Sequence, residues 1–132
     1  LIGRGPVVEA GSRGRIGAAV RSSDAILRAA RTIFVRSSTV FLKPSQLEGE
    51  LRKRPEFSAM GLSVVTDPRS ADLMIHLDRP LFTYTFTFSV SGVRDHVVAA
   101  SGKVTAFDGN FAAPKIAKEL LKRFQAVRNQ NQ

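Results

Sequence analysis

The chain reads as an α+β domain: a mixed, mostly antiparallel five-stranded sheet with two main helices packed on one face, in the order β-α-β-β-β-β-α. Three observations predict it. Residues 82–91 alternate without a break, placing Phe82, Tyr84, Phe86, Phe88 and Val90 on one side of a strand and Thr83, Thr85, Thr87 and Ser89 on the other. Residues 111–125 carry Phe111, Ile116, Leu120, Leu121 and Phe124 as an apolar stripe, with Lys115, Lys118, Lys122 and Arg123 opposite. Between residues 32 and 66 a strand, a helix and a second strand follow one another, the pattern of a right-handed parallel crossover.

The elements follow in order. Residues 1–17 hold five glycines among small and polar residues and bury too little apolar surface to offset the entropy of ordering, so residues 1–31 read as a basic Arg/Gly/Ala-rich tail. Within that tail Ser22 or Ser23 can cap a short helix over 24–31, with Asp24 in its first turn and Ile26, Leu27 and Ala30 as its stripe. A single domain is expected over 32–125. Thr32 to Thr39 is rich in β-branched and aromatic residues and reads as the first strand, with Phe41 as its furthest extent. Pro44 suits the first turn of a helix, and Leu47 and Leu51 share one face of 46–54; Pro55 should restart that helix and Gly61 end it.

Leu62 to Thr66 is a short strand closed by Asp67-Pro68, a turn opener. Ala71 to Leu77 is a third strand, whose run Leu73-Met74-Ile75 suggests burial on both faces and a central place. The aromatic strand pairs as a hairpin with residues 96–107, where Val98, Ala100, Gly102, Val104 and Ala106 present small side chains on one face. Large rings beside small residues make a step into which the last helix settles without a cavity. Residues 126–132 read as a polar tail.

With both helices on one side, the Thr83, Thr85, Thr87, Ser89 face is left uncovered and is the candidate interaction face. The aromatics of the same strand read as core, not as a platform for stacked bases.

Composition limits the function classes. A chain of 132 residues supports one core, and no apolar stretch reaches the roughly 18 residues needed to span a bilayer. Without cysteine there is no disulfide, no thiol nucleophile and no soft metal ligand. The net charge is +9, and it is uneven: residues 1–36 hold seven arginines against two acids, while all six lysines lie from Lys43 onward. Arg4, Arg13, Arg15 and Arg21, set among glycine and serine, are the candidate anion contacts of a nucleic-acid-binding tail, though the aromatics that stack bases are missing there.

No catalytic constellation stands out. His76 and Asp78 share a strand face and Asp95 abuts His96 at the hairpin turn, which leaves a hydrolase built on His76 and Asp78 as the enzymatic alternative; no nucleophile motif accompanies either pair. Asp67, Asp72, Asp78, Asp95 and Asp108 sit where aspartate binds turn and cap N–H groups. No metal site, cofactor motif or phosphate loop is read, and no enzyme is expected.

Three stretches, Gly61 to Leu77 with its Val65-Thr66-Asp67 and Ala71-Asp72-Leu73, the hairpin end at 100–106, and Ala113 to Phe124, resemble the small α/β domain of bacterial envelope proteins such as the N-terminal domain of TolB and the CsgG-like secretion proteins. The hairpin turn Ser91-Gly92-Val93-Arg94-Asp95-His96 departs from the Asp-x-x-Thr-Gly turn of those relatives. The resemblance implies a non-enzymatic, periplasmic or surface-associated domain that binds a protein partner or its own copies. The alternative is a cytoplasmic nucleic-acid-binding module using the arginine-rich tail.

Overall fold

A computed structural model describes residues 23–129. Residues 23–29 are helical (α1), followed by β1 (Thr32–Ser37), α2 (Pro44–Lys53), α3 (Pro55–Ala59), β2 (Ser63–Val64), β3 (Leu73–Asp78), β4 (Thr85–Gly92), β5 (Val98–Thr105) and α4 (Gly109–Asn129). A single 3₁₀ turn, Pro68–Ser70, leads into β3, with the Asp67 side chain accepting from the Arg69 N–H.

The sheet order is β2-β1-β3-β4-β5, with β2, β1 and β3 parallel and the β3-β4 and β4-β5 pairs antiparallel. The fold class is therefore the expected one, an open mixed sheet with helices. β3 lies at the centre, as its apolar run predicts. Its two faces differ, however: Leu73, Ile75 and Leu77 are buried, whereas Met74, His76 and Asp78 are half-buried on the opposite side.

Register then assigns every strand a face. Ile33 and Val35 of β1 and Phe86, Phe88 and Val90 of β4 point with the buried residues of β3 into one core. α2 contributes Leu47 and Leu51 to it, α3 Phe57, and α4 Ile116, Leu120, Leu121, Phe124 and Val127. The predicted step between large and small strands is present. Phe88 stands opposite Gly102, and a Cβ on that glycine would lie 2.7 Å from the Phe88 ring. The missing side chain makes room for the ring, and α4 then closes over both strands.

α2 begins with Pro44 and half of a capping box, in which Gln46 Oε1 accepts from the Lys43 N–H at 2.8 Å; Gln46 Nε2 in turn donates to Asn110 Oδ1 at 2.8 Å, tying the starts of α2 and α4 together. Gly61, at φ +75°, takes the left-handed position that ends α3.

Four expectations need correction. First, the aromatic strand starts at Thr85, not Phe82. Thr83 is held in the preceding turn, its hydroxyl donating to the Pro80 carbonyl at 2.7 Å, and Phe82 sits at φ +62°. Phe82 and Tyr84 therefore leave the core face and stand exposed. Second, Phe111 is not on the buried stripe. Counting 3.6 residues per turn places it in register with Lys115, Lys118 and Lys122, and its ring is exposed. Third, α4 begins at Gly109, capped by Asp108, so Pro114 falls inside the helix and not in its first turn.

Fourth, residues 126–129 continue α4 instead of forming a polar tail, with Val127 buried and Arg128 bonded to backbone carbonyls. At the other boundary, the short helix expected in the tail exists at 23–29, and it carries Leu27 and Ala30 into the common core. The remaining tail readings, including Arg4, Arg13, Arg15 and Arg21, lie outside the described residues.

Candidate functional site

Two surfaces are candidates for function, and both follow from the sheet. The first is the face turned away from the helices. Alternation places Phe34 and Arg36 of β1, Met74, His76 and Asp78 of β3, Thr85, Thr87, Ser89 and Ser91 of β4, and Ser101 and Lys103 of β5 on it. Among the described residues no element packs over this face. Three of the four predicted interaction residues, Thr85, Thr87 and Ser89, lie on it; Thr83 belongs to the turn.

His76, Asp78, Thr87, Ser89, Ser101 and Lys103 line a shallow depression there. His76 Nε2 is 2.5 Å from the Ser38 hydroxyl, which arrives from the loop after β1. Nothing in the sequence linked those two residues, because the link depends on β1 and β3 being neighbours. Serine and imidazole are two members of a nucleophile-base arrangement. The third is engaged elsewhere: Asp78 Oδ1 accepts from the Arg79 N–H at 2.8 Å, and among the described residues no carboxylate bonds to the His76 ring. As built, the pair locks the Ser38 loop to β3. His96, at φ +57°, occupies the exposed hairpin turn, with its N–H bonded to the Gly92 carbonyl.

The outer edge of β5 is the other place where a sheet can recruit a partner. It is partly blocked. Lys115 Nζ donates to the Thr105 carbonyl at 2.6 Å and an Arg123 guanidinium nitrogen donates to the Ser101 carbonyl at 3.0 Å.

The second surface is the end of the sheet where β1, β3 and β5 finish and β4 begins. Val40, Phe41, Leu81, Phe82, Tyr84 and Phe107 stand exposed there, on three neighbouring connections. Arg79 organises them: its guanidinium lies 4.2 Å from the Phe41 ring centre and also approaches Tyr84 and Phe86, while its Nε donates to the Thr83 carbonyl at 2.7 Å. Tyr84 and Phe107 stack with centroids 5.7 Å apart. The alternating pattern at 82–91 reported these rings as aromatic but not as outside the core.

Titration is perturbed away from both surfaces. Asp72, at the start of β3, accepts from the Arg31 N–H at 2.8 Å and the Thr32 N–H at 3.2 Å. The Arg31 bond is the main cause that holds its carboxyl below the usual range; slight burial opposes it, and Thr32 and the charge of Arg94 reinforce it. Arg128 is lowered by burial, then by the charge of Arg31. Among the described residues there is no cluster of three metal-ligating side chains and no helix long and apolar enough to cross a membrane.

Fold and surfaces together define an open-faced α+β domain. No family model and no curated protein matches the chain. Among solved structures it is similar to PelC dodecamers from Paraburkholderia phytofirmans: to a point mutant with 15% identity and a TM-score of 0.39, covering 76% of this chain and 88% of that one. A second PelC dodecamer structure from the same organism gives 13% identity, the same TM-score of 0.39 and the same coverage, 76% and 88%.

Proposed function

We propose that this domain works by association and not by catalysis, as an interaction or assembly domain of the bacterial envelope. One observation carries the reading: the sheet face opposite the helices has no covering element among the described residues, although parallel strands usually have both faces covered. Phe34 and Met74 lie side by side on its parallel half, next to the hydroxyls of β4. A half-apolar, half-hydroxyl sheet face suits a second protein surface. The occupied carbonyls at Ser101 and Thr105 favour this face over the β5 edge as the docking site. The envelope location rests on the sequence resemblance to the TolB and CsgG-like domains.

Size-exclusion chromatography with light scattering tests the reading. A self-associated species that persists at high salt is expected, and Thr87→Arg with Ser101→Arg should dissociate it while leaving the circular dichroism spectrum intact. A monomer that binds only nucleic acid, with affinity falling steeply as salt rises, would replace this reading with the arginine-tail alternative.

A further inference from the structure

We propose that the aromatic end of the sheet docks on an anionic lipid surface, with Leu81 and Phe82 entering the interface first. The inference goes beyond the association reading and stands on a different part of the molecule. Leu81 is 81% exposed and Phe82 101% exposed, at the tip of the connection between β3 and β4. Phe82 also holds a left-handed backbone at φ +62°, a conformation that a bulky residue adopts at a cost. The fold thus holds a large ring in water where nothing in its own core can use it.

The neighbouring connections repeat the arrangement. Val40 and Phe41 border the same groove as Leu81 and Phe82, and Tyr84 stacked on Phe107 extends it. Three loop tips with apolar side chains form a set of short prongs, the shape that enters the boundary between headgroups and acyl chains. Tyr84, half ring and half hydroxyl, suits that boundary, as does Arg79, whose guanidinium sits over the rings.

Charge selects lipid over a second copy of the chain. Lys43 lies two residues after Phe41, and Lys115, Lys118 and Lys122 run in a row back from Phe111 along α4. The bases Lys43, Arg79, Lys115, Lys118 and Lys122 outnumber the acids Asp78, Asp108 and Glu119 beside them, of which Glu119 pairs with Lys122. Pairing two such ends would set Lys43, Arg79 and Lys115 of one copy close to those of the other, whereas an anionic headgroup layer attracts the same cations.

The chain offers a direct readout. It has one tyrosine and no tryptophan, so tyrosine emission reports on Tyr84 alone. The full chain is mixed with phosphatidylcholine vesicles, with and without phosphatidylglycerol, including versions with brominated acyl chains. Binding to the phosphatidylglycerol vesicles and quenching of Tyr84 by the brominated lipid are expected. Leu81→Ser with Phe82→Ser, which leaves the charge unchanged, should weaken that binding about tenfold. Unquenched emission, or a double variant that binds as well as the parent, would mean that overall charge and not this end meets the lipid, and would overturn the proposal. So would an oligomer that the double variant dissociates without any vesicle binding, which makes the end a protein interface and leaves the association reading in place.

Discussion

The two ends of the sheet solve opposite problems. At the end where β1 and β3 begin, polar backbone groups left over at the ends of helices are gathered in. Arg128, near the end of α4, donates to the carbonyls of Met60, Leu27 and Ala30, the last two closing α1. Asp72 takes the N–H groups of Arg31 and Thr32 where α1 passes into β1. A helix leaves its final carbonyls without partners, and a guanidinium with several donors satisfies more than one of them. At the opposite end the groups left over are apolar, and they are left outside. The first arrangement contributes to stability; the second contributes little to it.

That contrast can be broken at three points. Replacing Arg128 by Met keeps much of the stem's packing but takes this donor from the Met60 and Leu27 carbonyls and leaves Ala30 only the long Arg31 contact, and should cost about 2 kcal/mol, read as a lowered urea midpoint at an unchanged slope. If the loss is negligible, the closed end is not held by this contact.

Asp72→Ala should cost less, about 1 kcal/mol, because the carboxyl is exposed to water. Its effect has a sign in pH. A native carboxyl held below its unfolded value stabilises the fold fully above the ordinary carboxylate range and loses that contribution as pH falls through the depressed native value. The gap between parent and variant should be constant near neutrality and close below about pH 4, a comparison that urea titrations at several pH values make directly.

Phe82→Ser should change stability by less than about 0.5 kcal/mol, since a fully exposed ring has no core contact to lose. A substantial loss there would show that the open end is structural after all and remove the contrast between the ends.

Much of this is legible in the order of residues. The stripe Ile116, Leu120, Leu121, Phe124 needs only the helical period, and Leu47 with Leu51 needs only one turn of it. Gly102 beside an aromatic strand already suggested the step that Phe88 fills. The misreadings share a cause. Phe82 and Tyr84 fit the alternation, but a pattern does not tell where a strand starts; the Thr83 hydroxyl bonding back to Pro80 decided that. Phe111 looked apolar enough for the core, yet its turn of α4 faces the lysine row.

The Ser38 and His76 contact, and the convergence of Phe41, Tyr84 and Phe107, were invisible for a plainer reason: they join residues far apart in the chain.

The order of residues, by itself, determined the class of fold, the central place of β3 and the hydroxyl side of β4, because period-two and period-3.6 patterning are properties of short stretches of chain. Only the assembled sheet decided which aromatics stay outside and which distant loops meet, because those outcomes depend on strand order and on which backbone groups find partners across the molecule.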